Sequence, residues 1–385
     1  MAKDALTAQE QSYLERVGEF ARTRVAPFAR VWERDKVFPN ETFREGARLG
    51  LAGLLIPKEL GGLGLSHVAA ARVLEELAGA CYAFGFALFV QHNVLAGIVK
   101  YGSAALVSRL ATPMLNGERI GAFCLTEPST GSDAGAISTT ATHQAGFWDL
   151  DGEKAWVTNG AVADVYSVYA QTDPAQGWKG IACLLVDGKT RGLHRSAPYE
   201  LMGAHAMATN GVSFQHCRID DSCLLLAPGH GFKGAMEGIN RARMFISAMC
   251  CGMLKTCLES AVQYASERKA FGRSLKDFQG LQFELAEVAT RLEAARALAY
   301  RTASLLDAGE LAIVEAAHAK KFATQVAFGG ISTCMRAMGA NGFRSEYPFG
   351  RHLANAQMSQ YLDGTDEMQN MIIGRALFDV PRKSP

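Results

Sequence analysis

The sequence lacks the cysteine patterns and leader segments that mark secreted, disulfide-linked or zinc-binding proteins. Its nine cysteines include no C-x-x-C pair and no Cys/His set at zinc spacing, so we interpret them as thiols in a reducing compartment. The N-terminus has no signal-peptide pattern, and the most apolar run, residues 81–99, is interrupted by Gln91, His92 and Asn93. We therefore expect a cytoplasmic chain with no metal site and no membrane span.

An excess of charge of one sign is also missing. The 385 residues carry a formal net charge of +1, with neither a basic block nor an acidic tail, which argues against nucleic acid as the partner. Apolar residues make up 49% of the chain and charged residues 20%. This balance is typical of a globular protein, and the length allows two or three domains.

The common catalytic and nucleotide-binding motifs are absent as well. The chain contains no P-loop, no G-x-S-x-G elbow and no H-E-x-x-H. Residues 229–234 match G-x-G-x-x-G, but the dinucleotide-binding motif needs a preceding strand and an acidic residue about 20 positions later. Residues 249–255 contain no acidic residue, so we interpret the match as a glycine-rich turn that opens a helix.

What the sequence does contain is three zones of different periodicity. Residues 1–119 and 228–385 show the apolar spacing of helices, whereas residues 120–227 contain short strand-like segments separated by polar turns. This order is not a βαβ alternation, which disfavours a doubly wound nucleotide-binding fold. We predict an α+β protein with an N-terminal α-helical domain, a middle β-barrel or sandwich, and a C-terminal helical bundle, divided at those boundaries.

The periodicity also predicts individual elements. In the first zone it predicts separate helices at 66–79 and 83–100. In the middle zone, the pair Asp151-Gly152 between two strand-like runs predicts a hairpin turn. The third zone is predicted to hold long helices at about 232–268, 277–307 and 310–338.

Two segments carry groups that suit a cofactor. Residues 125–133 are rich in hydroxyl side chains and turn formers, and they offer backbone N–H groups and hydroxyls that suit a flavin edge or a phosphate. Residues 154–160 place Trp156 and Thr158 two positions apart, which on a strand puts both on one face. Each segment alone is also compatible with an ordinary capped loop or a core tryptophan.

Together with further segments, these residues resemble the acyl-CoA dehydrogenase family over nearly the whole chain. The further segments are 267–273, 278–283, 338–343, 346–348 and 363–369. The resemblance implies a helical domain, a β domain and a four-helix bundle, with FAD bound in a site shared between subunits of a homotetramer, a dimer of dimers. It also implies electron-transfer flavoprotein, or a similar protein, as the electron acceptor.

The resemblance assigns cofactor contacts along the whole chain. The residues concerned are Leu125, Thr126, Gly131, Ser132, Trp156, Thr158, Arg268, Phe271, Gln279, Met338, Gly339, Thr365 and Gln369. By likeness, Trp156 stacks near the isoalloxazine, and the Thr158 hydroxyl lies near N5, the atom that accepts the hydride. The residues from Arg268 to Gln279, and those at 338–339, match positions that relatives contribute across a subunit interface.

The resemblance also implies a carboxylate that takes the α-proton of an acyl thioester while flavin N5 accepts the β-hydride. Many relatives carry Glu-Gly-Thr at this place, whereas this chain carries Asp363, Gly364 and Thr365. A branch of the family has its glutamate beside an arginine of a bundle helix, but the matching residue here is Ala242. Asp363 is therefore the candidate base, and its own N–H is a candidate donor to the thioester carbonyl.

The aspartate is one methylene shorter than the usual glutamate. This difference moves the carboxylate by about an ångström, which can cost on the order of 100-fold in rate. Three interpretations stay open. Either the substrate sits closer and Asp363 is a true base, or the flavin serves an oxidase or hydroxylase that acts on a nitroalkane, amine or alcohol, or the chain is a catalytically degenerate subunit.

Other departures concern the substrate. The substrate-binding residues implied by the resemblance are Phe86, Phe89, Ser132, Asn240, Arg243 and Gly364. Asn240 stands where an acidic residue often contacts CoA, and Arg336 stands where a glutamine commonly meets the cofactor. These differences leave open whether the acyl group arrives on CoA or on the pantetheine arm of an acyl carrier protein. His92, within an apolar stretch, is interpreted as a core histidine.

Overall fold

The computed structural model describes residues 6–378, and its N-terminal part is helical. The helices are α1 (Ala8–Phe20), α2 (Ala26–Arg34), α3 (Asn40–Arg48), α4 (His67–Tyr101) and α5 (Ala104–Leu115). Thr7 and Glu10 cap the start of α1 reciprocally, an arrangement that satisfies two backbone N–H groups which the helix itself cannot.

Helix α4 confirms the two predicted helices as two helical stretches that follow each other without a loop. Together they span 35 residues and meet at a kink at Cys81, where the backbone is not helical (φ −158°, ψ 105°). Because α4 is buried on nearly all sides, its apolar residues surround the axis and give little periodicity. The gap between the two predicted helices is therefore a bend inside the core and not a loop.

The middle part forms one eight-stranded sheet. Its strands are β1 (Gly121–Cys124), β2 (Thr140–Gln144), β3 (Phe147–Val157), β4 (Val165–Gln171), β5 (Ile181–Asp187), β6 (Leu193–Arg195), β7 (Asn210–Asp220) and β8 (Leu224–Leu226). Their order is β6-β7-β3-β2-β4-β5-β8, and β1 pairs with β4 in parallel. β1 therefore ends beside the centre of the sheet, and the chain leaves it at residue 125.

The predicted hairpin at Asp151-Gly152 is wrong. β3 runs through both residues, and the hairpin instead joins β2 to β3 around Gly146. Gly152 lies at a bulge against β7 with a φ of +139°, where a Cβ would come within 2.6 Å of the Thr139 Cα. The glycine is needed for this close approach inside a long strand, and the same residue pair is typical of a turn.

The C-terminal part is again helical. Its elements are α6 (Gly231–Glu267), the ribbon β9 (Lys269–Ala270) and β10 (Arg273–Ser274), α7 (Gln279–Asp307), α8 (Ile313–Ala337), α9 (Phe349–Ser359) and α10 (Asp366–Phe378). Residues 229–234 are confirmed as a glycine-rich turn that opens α6. The α+β fold class, with helical, β and helical parts in that order, is confirmed as well.

Helices α4 and α6 form the centre of the molecule. Both are long and apolar enough to cross a membrane, but 89% and 67% of their most apolar windows are buried inside the structure, as expected for core helices. They cross where Gly79 meets Gly252, since a Cβ on Gly252 would lie 1.9 Å from the Glu75 carbonyl oxygen. This close crossing brings side chains of α4 and α6 together next to α9 and α10.

Candidate active site

The turn between α9 and α10 carries Asp363 in an unusual backbone conformation. Asp363 has a φ of +50° and Gly364 a φ of +96°, and a non-glycine residue in this region costs about 1–3 kcal/mol unless its surroundings fix it. Arg243 Nε donates to the Asp363 carbonyl oxygen at 3.0 Å. Lys320 Nζ and Gln369 Nε2 donate to the Gly364 carbonyl oxygen at 2.7 and 2.9 Å. Two cations and an amide thus hold the backbone that bears the carboxyl group.

Gly364 permits this arrangement for steric reasons. A Cβ at this position would lie 3.1 Å from Gln369 Nε2 and 3.4 Å from Arg243 Nη2. A side chain would therefore press on the groups that hold the turn, in addition to adopting a positive φ that glycine tolerates best. Gly364, which the sequence suggested as a substrate contact, is required by the turn itself.

The electrostatics of the turn prepare Asp363 to accept a proton. Burial raises the pKa of the Asp363 carboxyl to about 6, while the charges of Arg243 and Lys320 oppose that rise. The residue nevertheless keeps a partly accessible surface. A carboxyl group with this pKa is ionised at neutral pH and is more basic than an ordinary aspartate, as a general base requires.

Helix α4 brings a line of aromatic rings to the same place. Burial and neighbouring charges, that of Asp363 among them, raise the pKa of the Tyr82 hydroxyl. From Tyr82 the rings continue through Phe86 (5.8 Å), Phe89 (a further 5.8 Å) and Phe245 of α6 (a further 5.3 Å). We call these four rings the aromatic wall. Phe86 and Phe89 are 4% and 1% exposed, so the aromatic wall runs from the neighbourhood of Asp363 into the core, and the predicted contact of these two rings with an acyl chain stays a prediction.

The sheet supplies the hydroxyl-rich loop that the sequence suggested. Lys154 Nζ donates to the Leu125 carbonyl oxygen at 3.1 Å and to Glu127 at 2.7 Å. The Lys154 and Glu127 side chains are at most 1% exposed. The Ala155 N–H donates to the Thr126 carbonyl oxygen at 2.9 Å. These bonds bring Leu125 and Thr126 directly beside the end of β3.

Glu127 closes the loop that follows. Its carboxylate accepts the N–H groups of Ser138 at 2.7 Å and of Thr139 at 2.9 Å. Although burial raises the pKa of Glu127, the hydrogen bonds and the Lys154 charge lower it to about 2. The loop is thus fixed at both ends, and the tip, with Gly131 and Ser132, is exposed.

Trp156 and Thr158 do not share a strand face, which corrects the sequence interpretation. The pairing of β3 with β7 shifts between Lys154 and Val157, and Trp156 has a φ of +58°. This bulge leaves the Trp156 ring 62% exposed, whereas Thr158, just beyond the strand, is 8% exposed. Asn159 then donates to the Ala87 carbonyl oxygen of α4 at 3.0 Å, which places this segment next to the aromatic wall.

A second group of predicted residues lies far from Asp363 within the chain. Arg268 follows Arg243 by 25 residues along α6 and its cap, which corresponds to about 38 Å. Phe271 is 95% exposed with a φ of +53°, and Gln279 is also exposed. One subunit therefore does not bring these side chains to the Asp363 turn, and their role across a subunit interface stays a prediction.

Residues 338–339 differ from each other in exposure. The Met338 side chain is only 2% exposed. Gly339 is exposed, has a φ of +57°, and would place a Cβ with no atom within 4 Å. The Gly339 backbone, and not the Met338 side chain, is therefore the accessible group for the contact that the sequence suggested.

Asn240 and Arg243 lie on one face of α6, and each side chain already makes a hydrogen bond within the chain. The Asn240 amide nitrogen donates to the Leu311 carbonyl oxygen at 2.6 Å. Its oxygen has no partner among the described residues. Arg243 holds the carbonyl of Asp363. The buried Asn240 Oδ1 is the atom that a substrate N–H group would have to reach, and this contact stays a prediction.

Sequence reasoning missed Lys320 and did not foresee that Gln369 holds the turn; the predicted cofactor contact of Gln369 stays a prediction. Lys320 is fully buried and also donates to the Gln360 carbonyl oxygen at 2.8 Å. Gln369, fully buried as well, holds the turn, whereas the adjacent Thr365 is partly accessible. The available signal was a lysine on the small, apolar face of α8, beside Ala316 and Ala323, where an unpaired charge would be costly.

The residues present fit a planar, phosphate-bearing cofactor. The exposed Trp156 ring offers a stacking platform, and the Gly131 position leaves open space because a Cβ there would meet no atom within 4 Å. The loop from Leu125 to Ser132 adds N–H groups and hydroxyls suited to a flavin edge and a pyrophosphate. A helical domain, a β domain and a helical bundle around a buried carboxyl group define the class of flavin-dependent acyl-thioester dehydrogenases.

Comparison with known proteins assigns the family. Family models described as "Acyl-CoA dehydrogenase" N-terminal, middle and C-terminal domains match residues 7–118, 122–217 and 229–378. The chain is 37% identical to the human short-chain specific acyl-CoA dehydrogenase over 369 residues, 96% of this chain and 90% of that protein. The chain therefore belongs to the acyl-CoA dehydrogenase family, oxidoreductases of EC class 1.3.

Solved structures agree over the whole chain. Butyryl-CoA dehydrogenase from Megasphaera elsdenii superposes with a TM-score of 0.94 at 31% identity, covering 97% of this chain and 99% of that one. A glutaryl-CoA dehydrogenase from Mycobacterium smegmatis in complex with FADH2 has a TM-score of 0.93 at 27% identity, covering 98% and 97%. The three-part fold is thus that of flavoproteins acting on acyl thioesters.

Proposed function

We propose that this protein is an FAD-dependent dehydrogenase that removes the α-proton and the β-hydride from an acyl thioester, with Asp363 as the base. The observation that carries the proposal is the Asp363 turn. Its carboxyl group has a pKa of about 6 and its backbone is bonded to Arg243, Lys320 and Gln369. Carboxyl groups whose pKa is strongly shifted by burial and by specific charged partners are concentrated at functional sites, which supports this role.

The chain's own residues divide the task. The Asp363 carboxylate takes the α-proton, and its backbone N–H is the candidate donor to the thioester carbonyl oxygen, where charge develops. Arg243 and Lys320 keep the carboxylate ionised and fix its direction. The aromatic wall excludes water from the acyl end. FAD, when bound, supplies the hydride acceptor at N5.

The cofactor would be held from two sides. Leu125, Thr126, Ser132, Trp156 and Thr158 face it from the β domain. Arg268, Phe271, Gln279 and Gly339 would come from another subunit of a homotetramer, which accounts for the 95% exposure of the Phe271 ring in a single subunit. We propose electron-transfer flavoprotein or a similar protein as the electron acceptor, and a cytoplasmic location.

The shorter side chain of Asp363 favours one specific alternative function. A carboxylate drawn back by about an ångström leaves room at the flavin for a substrate other than a planar thioester. A flavin oxidase or hydroxylase that acts on a nitroalkane, amine or alcohol would use the same base. If the protein is an acyl-thioester dehydrogenase, the acyl group can be carried by CoA or by an acyl carrier protein.

An anaerobic flavin-reduction screen separates these functions. The purified protein, loaded with FAD, is mixed without oxygen with acyl-CoAs, acyl-carrier conjugates and nitroalkanes, and the flavin absorbance is followed. The proposal predicts loss of absorbance with an acyl thioester. Reduction by nitroalkanes, amines or alcohols alone would establish the second candidate. No reduction by any substrate, in a protein that retains FAD, would indicate a degenerate subunit.

A further inference from the structure

A small cavity lies on the face of α6 opposite to the Asp363 turn. Arg241 lies at this cavity, and two helical positions separate it from Arg243, which places their side chains on different faces. The lining includes Gly97 and Lys100 of α4, Glu237 of α6 and Tyr169 of β4. We call this space the Arg241 pocket.

The Arg241 guanidinium has few partners in the pocket. Its Nη2 donates to Asn93 Oδ1 at 3.1 Å. Its Nε is buried without a partner, and no carboxylate lies within ion-pair distance of it among residues 6–378. An arginine offers five N–H donors in a planar fork that matches an oxyanion. Most of the binding capacity of Arg241 is therefore unused within the described chain.

The neighbouring titratable groups do not neutralise Arg241. The charge of Glu237 acts on Arg241, but Glu237 pairs with Lys100 and accepts the Tyr101 hydroxyl. Burial, followed by the charge of Arg241, lowers the pKa of His92 to about 3, so His92 is neutral. The pocket thus keeps one positive charge, and buried charges are normally paired because desolvation is costly.

We propose that the Arg241 pocket binds a small oxyanion such as a carboxylate. The cavity volume is about 30 Å³. A single water needs a cavity of roughly 10–15 Å³, so there is room for a group of a few atoms such as a carboxylate. The bidentate geometry of the guanidinium suits this group better than a halide.

Two sources can deliver such a group. The mouth of the pocket lies between Lys100 and Glu237, whose side chains are 50% and 42% exposed, so a free anion can enter from solution. The other source is the terminal carboxylate of a dicarboxylic acyl chain, which requires the contacting rings of Phe89 and Phe245, 1% and 0% exposed, to move apart. The second source rests on the proposed function, whereas the first does not.

The binding test needs no catalysis. The melting temperature of the FAD-loaded protein is measured against rising formate and acetate at constant ionic strength. We expect a saturable rise that Arg241→Met abolishes, or weakens by about tenfold or more in Kd. Arg291→Met, at an exposed arginine paired with Glu287, should retain the rise.

A second variant keeps the charge and removes the space. A Cβ at Gly97 would meet no atom within 4 Å, so Gly97→Leu fills the cavity with little strain. Like Arg241→Met, it should abolish the rise in melting temperature. If Arg241→Met fails to fold, Gly97→Leu is sufficient to test the proposal. An unsaturable rise, or one unchanged by Gly97→Leu, would overturn the proposal.

Kinetics then assigns the source. If the acyl chain delivers the carboxylate, Arg241→Met raises KM for dicarboxylic acyl thioesters about tenfold or more and leaves KM for unsubstituted thioesters unchanged. If both substrate classes are unaffected while formate still stabilises the wild type, a free anion is the ligand. Failure of the proposed function removes only this arm, because the melting experiment remains interpretable.

Discussion

The Asp363 turn and the segment from Arg268 to Gln279 are both predicted parts of one site, yet they differ in how far the rest of the subunit encloses them. The turn is closed: its carbonyl groups are bonded to Arg243, Lys320 and Gln369 from three different helices. The segment is open, with Phe271 95% exposed and at a positive φ. Under the proposed function, a single subunit carries the complete proton acceptor but only part of the cofactor site.

This difference separates two kinds of dependence. Groups that set the basicity and direction of Asp363 act within the subunit, so their removal should change the chemical step and leave cofactor retention intact. Removal of groups in the exposed segment should instead reduce cofactor retention and leave the chemical step intact, because the proposal has them reach the cofactor only in an assembly. Each prediction below tests one side of this division.

The largest effect is expected for Asp363→Asn. Removal of the base should slow anaerobic flavin reduction by about 10²–10⁴-fold, the usual contribution of a general base. FAD content and the melting temperature of the holoenzyme should not fall, because the backbone bonds of the turn do not involve the carboxyl group. Stopped-flow absorbance measures the rate, and denaturation followed by flavin quantification measures the content.

The same substitution should stabilise the protein at neutral pH. The pKa of Asp363 rises from 3.8 to about 6 on folding, so ionisation above pH 6 destabilises the native state by up to about 3 kcal/mol. The advantage of Asp363→Asn should be full above pH 6, decline as pH falls, and vanish below 3.8. Urea unfolding at several pH values tests this, with the exposed Asp277→Asn as a control expected to change little.

Lys320→Met should impair the chemical step more than binding. It removes two bonds to the carbonyls of residues 360 and 364 and a cation that lowers the pKa of Asp363. We expect kcat to fall about 10–100-fold, with KM little changed, and the pH at which the rate declines to move upwards. Lys321→Met, at the adjacent position, should leave both quantities unchanged. An unshifted pH profile would reduce Lys320 to a purely structural group.

The smallest effect is expected in the exposed segment. Phe271→Ala or Arg268→Ala should weaken FAD retention by about tenfold, or roughly 1.4 kcal/mol, and reduce the tetramer fraction. The reduction rate at saturating FAD should stay within about twofold. Lys276→Ala, exposed in the same segment, serves as the control. A large loss of rate with full FAD retention would show that this segment takes part in the chemical step, and it would contradict the distinction between the two regions.

The sequence was sufficient for the fold class, and it singled out Asp363, whose role as the base stays a prediction, because both signals are local. Zones of helical and strand periodicity follow from burial patterns within short windows, and the residues around Asp363 form a contiguous motif. The errors have the same origin: Gly152 and Trp156 lie at bulges of β3, where register shifts against β7 override the alternation.

Lys320 was missed because its role depends on partners about 40 residues away. Its hydrogen bonds run to Gln360 and Gly364, contacts that no periodicity reveals. The aromatic wall likewise needs Phe245 of α6 beside Phe89 of α4, which depends on the glycine crossing of those helices. Long-range pairing of this kind follows from tertiary packing and not from local propensity.

The pH dependence of anaerobic flavin reduction tests the central claim most directly. With a reactive acyl thioester at saturation, the rate should be constant above about pH 6 and fall about tenfold per pH unit below it, since protonation of Asp363 removes the base. The residual rate of Asp363→Asn should show no such break. A wild-type rate that is constant down to pH 4, or a break that persists in Asp363→Asn, would contradict Asp363 as the proton acceptor.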